Sequence, residues 1–262
     1  MQITPLGFWA VSSTGETTSF LVAGSDCNVL LDCGLNPARQ LQILDIPLTT
    51  LGHIFISHVH SDHLSGFANL VFTRTVQERR YGKAQPLQVH GLPEVLATGR
   101  ALLNAYYPER EFQVEWVPVA DGESHDIGQK MQLTPFTVDH TVPTAGIVVS
   151  SEGRRLVGFT SDTALTEKLV ADLHGVPLLI GECFGTEEEF GIPATQLKHL
   201  TAENLAVLAT RTGADRLIPF HMQAPYAASE GRDRLMSTLR QGFQGEVIFP
   251  QQLHPVDCGR AS

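Results

Sequence analysis

Apolar residues in the first part of the chain cluster in short runs that predict β-strands. The runs at residues 17–23 and 27–34 are rich in β-forming residues and are separated by Gly-Ser-Asp, a turn signal. Residues 53–57 form another apolar run, which is too short for a helix and predicts a buried strand. That strand leads directly into His58.

Longer stretches with helical periodicity alternate with further short apolar runs, which predicts an α/β fold. The best-defined helix has Thr201 at its N-cap, Glu203 in its first turn and Gly213 at its stop. Residues 112–163 are strand-rich, with a hairpin turn at Glu152–Gly153. Predicted helices cover residues 38–44, 66–80, 92–107, 165–175, 200–213 and 232–243, and the remaining predicted strands cover residues 86–91, 177–184, 215–221 and 245–250.

The length and charge of the chain limit the kinds of protein that it can be. With 262 residues, 42% of them hydrophobic, the chain can bury a sizeable core, and we expect one domain over residues 1–262. A net charge of −10 argues against broad, sequence-independent phosphate binding. The densest basic run is interpreted as a solvated helix end. It consists of Arg74, Arg79, Arg80 and Lys83.

Cysteine usage and the N-terminal sequence point to the cytoplasm. The four cysteines contain no CxxC pair, so we interpret them as mostly buried thiols of a reducing compartment. The N-terminal residues lack the charge and apolar core of a signal peptide. No apolar run approaches the roughly 18 to 20 residues that a membrane span requires. We therefore expect a cytoplasmic protein without a membrane partner.

The sequence HVHSDH, from His58 to His63, concentrates three histidines and one aspartate in six residues. Burying them together without a metal would be costly, and imidazole and carboxylate suit zinc, manganese or iron. One ion takes three or four protein ligands in all, so four candidate ligands within one loop indicate two ions that share the loop. Further candidate ligands are His140, Asp162 and His221. Five further histidines show no partner pattern in the sequence and are interpreted as packed or surface residues: His53, His90, His125, His174 and His254.

Several stretches, taken in order, resemble the metallo-β-lactamase superfamily. They are VLLDCGLNPARQLQ, ISHVHSDHLSGFANL, HTVPTAGIVV, GFTSDT and KHLTAENLAVLATRTGADRLIPFH. Together they resemble most closely the tRNase Z group and its smaller relatives that cleave cyclic or small phosphodiesters. The resemblance extends from about Ser19 to His221. It implies a four-layer αββα sandwich and an enzyme with two divalent ions, Zn²⁺ first and Mn²⁺ as the alternative.

The resemblance also implies roles for individual residues. His199 matches the group's catalytic histidine that is not a ligand, and Glu182 matches the carboxylate beside it. Two positions depart from the usual pattern: Ser61 stands where a glycine is usual, and Gly181 where a histidine is common. The implied ligands are His58, His60 and His140 for one ion and Asp62, His63 and His221 for the other, with Asp162 bridging both.

The spacing between two of these ligands departs from tRNase Z enzymes, which usually carry a long tRNA-gripping arm between them. His140 and Asp162 are only 22 positions apart, and the stretch between them is predicted to be a simple hairpin. With no room for the arm and an acidic net charge, tRNA is not the expected substrate. A small or cyclic phosphodiester is expected instead. A homodimer is compatible with the resemblance, because relatives often dimerise.

The implied reaction is phosphodiester hydrolysis. Hydroxide generated by the two ions would act as the nucleophile, Asp62 would orient it or accept its proton, and His199 would act as general acid on the leaving oxygen. Three alternatives remain open: a lactone or thioester hydrolase, a tRNA 3′ processing endonuclease, and a metal protein without hydrolytic turnover, like one branch of PQQ biosynthesis. Hydrolysis of a lactone or thioester on the same metal centre requires no dedicated leaving-group histidine, so His199 argues against the first of these.

Overall fold

Two seven-stranded sheets form the frame of the molecule. The computed structural model describes residues 1–24, 27–82, 84, 86–190, 196 and 198–259. The first sheet has the order β14 (Val256–Asp257), β1 (Gln2–Gly7), β2 (Ser19–Ala23), β3 (Asn28–Leu31), β4 (Leu51–Ile56), β5 (Leu87–Gly91), β6 (Val114–Pro118). The second has the order β13 (Glu246–Val247), β12 (Arg216–Phe220), β11 (Leu178–Glu182), β10 (Arg154–Phe159), β9 (Thr144–Ser151), β8 (Met131–Val138), β7 (His125–Ile127).

Helices cover the outer face of each sheet, which completes the four-layer αββα sandwich expected from the sequence. On the first sheet lie α1 (Pro37–Ile43), α3 (Phe67–Tyr81) and α4 (Pro93–Tyr106). On the second lie α5 (Glu167–Leu173), α7 (Ala202–Thr212) and α8 (Ser229–Gly242). The short helices α2 (Ser61–Leu64) and α6 (Glu187–Phe190) follow β4 and β11.

The central strands are apolar on both faces because each is covered on both sides. In β4, Phe55 points between the sheets, whereas Ile54 and Ile56 pack against the helices of the first sheet. Phe20, from the first sheet, packs between the sheets at 5.7 Å from the ring of Phe220 in the second. Strands buried on both faces read as continuous apolar runs, which is why the sequence located β4 so readily.

Parallel pairing brings the functional loops to one rim. Strands β3 to β6 are parallel to one another, and so are strands β10 to β13. The carboxyl ends of parallel strands lie at the same edge of a sheet, where ligand sites commonly form. At this rim Ala145 N donates to Ser57 O (3.1 Å), which joins the loop after β4 to the second sheet.

Several local predictions are confirmed. The hairpin between β9 and β10 turns at Glu152 and Gly153, both with positive φ. Thr201 caps α7 by accepting a hydrogen bond from Asn204 N (3.2 Å), and Gly213 ends it in the left-handed region. Buried thiols are found at Cys33, Cys183 and Cys258, while Cys27 is half-buried.

Other predictions need correction. Strand β1, which precedes the first predicted strand, was not predicted. It is held by pairing with β2 and with the distant β14, which the local sequence does not show. Arg74 is not part of a solvated helix end. It is buried in α3, and its Nη1 donates to Glu78 Oε1 at 3.0 Å. Lys83 of the same basic run lies outside the described residues. Within the part of the chain that the structure describes, no helix is long and apolar enough to cross a membrane.

Candidate metal centre and active site

The loop between β4 and α3 carries the four clustered candidates. His58 follows the end of β4 and is fully buried. His60 has extended backbone and precedes the single turn of α2, which carries Asp62 and His63. This turn separates the four side chains into two directions, so that one loop can serve two neighbouring sites.

Three histidines and one aspartate form the first group of donors. His60 Nδ1 lies 3.1 Å from His58 Nε2 and 3.3 Å from His140 Nε2. Together with Asp162, these residues offer ligand atoms that all lie within 4.8 Å of one another. Burial lowers the pKa of each of these imidazoles, in the case of His140 to about 4. Neutral imidazole is the form that binds metal ions.

The second group of donors consists of Asp62, His63 and His221, again within 4.8 Å of one another. His221, just after β12, places its Nε2 3.0 Å from Asp62 Oδ2. Burial opposes ionisation of Asp62, but the hydrogen bond from His221 holds the pKa of that carboxyl below its usual range. The group therefore combines two imidazoles with a carboxylate.

Asp162 lies between the two groups and is almost fully buried. Its Oδ2 is 3.7 Å from His58 Nε2 and 3.3 Å from His221 Nε2, and its Oδ1 is 3.4 Å from His63 Nε2. Neither Asp162 Oδ1 nor His63 Nε2 has a hydrogen-bond partner among the described residues. Buried polar atoms without partners are rare, and a cation would satisfy both. The donor set therefore fits two metal ions that share Asp162.

Asp32 is a site residue whose role sequence reasoning missed. Its buried carboxylate accepts hydrogen bonds from Ser57 N (2.7 Å), Ser57 Oγ (2.9 Å) and His63 Nδ1 (2.7 Å). The last contact fixes the tautomer of His63 and leaves its Nε2 as the ligand atom. A usable signal was present in the sequence, because Asp32 is a carboxylate directly after the apolar run of β3.

The backbone around the site adopts left-handed conformations at non-glycine residues. Asp32, Ser161, Lys198 and His221 have φ values between 52° and 60°. Such conformations cost about 1–2 kcal/mol each and persist where surrounding contacts enforce them. One such contact is at Lys198, whose carbonyl accepts a hydrogen bond from His140 Nδ1 (3.2 Å). The strained backbone thereby orients the ligand candidate His140.

His199 and Glu182 form a separate pair beside the metal ligands. Glu182, at the end of β11, is fully buried and accepts a hydrogen bond from Thr163 N (2.6 Å) on Oε2. Its Oε1 accepts a hydrogen bond from His199 Nδ1. Burial alone would lower the pKa of His199, but the charge and hydrogen bond of Glu182 raise that pKa to about 9. Although His199 also lies within 4.8 Å of Asp162 and His221, its Nδ1 is already engaged.

A cavity of about 350 Å³ opens onto this centre. Its wall includes His60, Asp62 and His199, together with Val11 and Phe184. The side chain of His199 is 17% exposed, so a ligand in the cavity can reach it. A larger cavity of about 880 Å³ lies elsewhere, between Met1, Arg154 and Asp215, and contains none of the candidate residues.

All nine candidate residues from the sequence therefore lie at one rim. The remaining histidines lie outside this group. His53, His90 and His125 are packed residues, and they contact one another. His53 Nδ1 lies 3.3 Å from His90 Nε2, and the rings of His90 and His125 are 5.8 Å apart. They come from β4, β5 and β7, so their contact depends on how the two sheets pack. His174 and His254 are exposed.

Comparisons with known proteins show which sequences and structures this chain is similar to. The chain is 28% identical to Ribonuclease Z of Ignicoccus hospitalis over 242 residues, which cover 75% of this chain and 79% of that protein. It is similar in structure to the short form of human tRNase Z, with a TM-score of 0.78 at 20% identity, covering 99% of this chain and 100% of that one. A diphosphatase from the PhnP family gives a TM-score of 0.75 at 14% identity, with 97% and 96% covered.

Structural similarity at 20% identity or less shows the fold alone, whereas a family model that matches most of the chain shows the family. The beta-lactamase superfamily domain matches residues 27–222, which is well over half of the chain. The chain therefore belongs to the beta-lactamase superfamily and is a metal-dependent hydrolase.

Proposed function

We propose that the protein is a phosphodiesterase with two metal ions that acts on a small or cyclic phosphodiester. The observation that carries this proposal is the His199–Glu182 pair, which lies beside the donor set and on the wall of the cavity. Phosphodiesters with alkoxide leaving groups need a proton delivered as the bond breaks, and a positioned imidazole supplies it.

The metal-binding residues in this proposal are the two donor groups described above. Their imidazole and carboxylate atoms suit zinc, with manganese as the alternative. When bound, two such ions lower the pKa of a water molecule and offset charge on the phosphoryl group. The proposed ligands are His58, His60 and His140 for one ion, Asp62, His63 and His221 for the other, and Asp162 for both.

The remaining steps belong to side chains of this chain. Water forms a bond to phosphorus, and Asp62 orients that water or takes its proton. The carboxylate of Asp62 is held for this role by Val11 N, which donates to Oδ2 at 3.2 Å. As the bond to the leaving oxygen breaks, His199 gives that oxygen its proton. Glu182 keeps the imidazole charged and fixes its Nδ1, which leaves Nε2 for the substrate.

The size of the cavity supports a small substrate. A volume of about 350 Å³ is at the low end of small-molecule sites. The hairpin between β9 and β10 closes over two residues, so no arm extends from this position. A net charge of −10 adds a general repulsion toward long polyanions.

A second candidate function is tRNA 3′ processing. It is favoured by the relatives named Ribonuclease Z, which match three quarters or more of the chain in several cases. The hairpin and the acidic charge argue against it. The two candidates share the metal centre and differ in what binds outside it. A thioester hydrolase, whose thiolate leaving group needs little protonation, would leave His199 without a role, as would a protein without turnover.

A substrate screen of the metal-loaded protein tests the proposal. The substrates are bis-p-nitrophenyl phosphate, a cyclic nucleotide, a lactone and a thioester, and Asp162→Ala serves as the control that lacks the shared ligand. We expect turnover of the phosphodiesters by the wild type and its loss in the control. Turnover of the lactone or thioester alone, or of none of the four, would overturn the proposal.

A further inference from the structure

Three aromatic rings lie nearly parallel beside the proposed proton donor. The ring of Phe184 is stacked on His199, with centroids 4.4 Å apart and planes inclined by 6°. His221 lies 5.4 Å from His199 at 16° and 5.7 Å from Phe184 at 22°. Phe184 is thus the ring in closest face-to-face contact with His199, and it also forms part of the cavity wall.

The backbone of Phe184 is tied to the segments that carry these histidines. Its N–H donates to Leu200 O (2.9 Å), the carbonyl next to His199. On either side, Cys183 N donates to Phe220 O (2.7 Å) and Thr186 N donates to Tyr226 Oη (2.9 Å). These hydrogen bonds hold the backbone of Phe184 against both segments, and its ring lies flat against the imidazole of His199.

The bond to Glu182 does not by itself fix the imidazole plane. A single hydrogen bond at Nδ1 holds one point of the ring, and the final torsion of a histidine side chain is broad. A face-to-face contact restricts rotation out of that plane, which would carry Nε2 away from the leaving oxygen. Proton transfer depends steeply on such alignment.

We propose that Phe184 is a positioning residue that holds the His199 ring in the plane where Nδ1 meets Glu182 and Nε2 faces the leaving group. The inference rests on the proposed function, since it assigns Phe184 to the same proton transfer. Phe184 acts through His199 and carries no proton itself. Its contribution therefore has to be largest on substrates whose leaving group needs protonation.

The test compares Phe184→Leu, which removes the flat face, with Phe184→Tyr, which keeps it. Both are assayed as metal-loaded full-length protein on a ribose or alkyl phosphodiester and on a p-nitrophenyl phosphodiester. We expect Phe184→Leu to lose about 10-fold in kcat on the alkyl substrate, as for the loss of one aromatic pair, and clearly less on the p-nitrophenyl one. Phe184→Tyr should recover most of that loss. Metal content and Tm identify any variant that has failed to fold.

A double-mutant cycle separates this role from a general structural one. In the His199→Ala background, Phe184→Leu should add little further loss, because the residue it positions is absent. Equal losses on both substrates, a change confined to KM, or full additivity in the cycle would overturn the inference. If His199→Ala itself loses equally on both substrates, the general-acid proposal fails. If His199→Ala is selective and Phe184→Leu is not, only the inference about Phe184 fails.

Discussion

At the scale of single residues, His199 is the side chain on which the type of reaction depends. His199→Ala should keep both metal ions and the fold, because its Nδ1 bonds to Glu182 and not to the proposed ligands. We expect it to lose about 10²- to 10⁴-fold in kcat on an alkyl or ribose phosphodiester and much less on a p-nitrophenyl one. Glu182→Gln should show the same selectivity more mildly. The measurement is kcat on both substrates, with metal content determined in the same samples.

A matched control for that variant is His174→Ala, because His174 is exposed and outside the site. It should change neither rate. Metal loss in His199→Ala would make His199 a ligand instead of an acid.

Asp32 gives a second prediction at this scale. Asp32→Asn keeps the size of the side chain but removes the charge that accepts the hydrogen bond from His63 Nδ1. Replacing such a partner of a ligand histidine typically weakens metal binding by about 10- to 100-fold. Competition with a chelator, followed by elemental analysis, measures this. Unchanged affinity in a folded variant would show that His63 needs no support from Asp32.

At the scale of the secondary structure elements, the pattern of apolar residues predicted the strand ends that form the rim. It did not predict the contacts between side chains across that rim. Short apolar runs located β4, β11 and β12, and therefore placed His58, Glu182 and His221 at strand ends. The place of Asp32 under His63 depends on a left-handed residue and a hydrogen bond between β3 and α2, which no periodicity encodes. The stacking of Phe184 on His199 likewise depends on distant segments meeting.

The contact between His90, His53 and His125 leads to a prediction about acid stability. Burial, followed by the neighbouring His53 and His125, lowers the pKa of His90 from 6.5 to about 3. Burial also lowers the pKa of His53, and the charge of Glu115, which faces this cluster, partly opposes that shift. Below about pH 6.5 the unfolded chain takes up a proton that the folded His90 does not. This contribution to stability is therefore full above pH 6.5 and decreases as the pH falls toward 3.

The measurement is the free energy of unfolding in urea at pH 7.5 and 5.5, at equal metal loading. Wild type should lose about 1.4 kcal/mol more than His90→Leu between these two values, since one pH unit below 6.5 corresponds to about that amount. His174→Leu, at an exposed position, should retain the wild-type difference. An identical pH dependence in wild type and His90→Leu would contradict the prediction.

At the scale of the whole molecule, the metal ions would join the two sheets. His58 and His63 follow β4 of the first sheet, whereas Asp162 and His221 follow strands of the second. Purified protein should hold close to two ions per chain, and Asp162→Ala should lower occupancy at both sites because it removes the shared ligand. Elemental analysis of both proteins measures this. One tightly held ion, unchanged in the variant, is incompatible with a pair of ions that share Asp162.

The charge of the whole molecule leads to a prediction that distinguishes the two candidate substrates. Binding of tRNA through many phosphate contacts requires clustered Lys and Arg, and its affinity falls steeply with salt because counterions are released. With a net charge of −10 and a two-residue turn between β9 and β10, we expect weak binding of pre-tRNA and a shallow dependence of log K on log salt. Binding titrations over a salt series, with 3′ cleavage assayed in parallel, measure both. Sub-micromolar affinity at physiological salt together with accurate 3′ cleavage would favour tRNA processing, and would mean that the chain grips tRNA with a surface other than the hairpin.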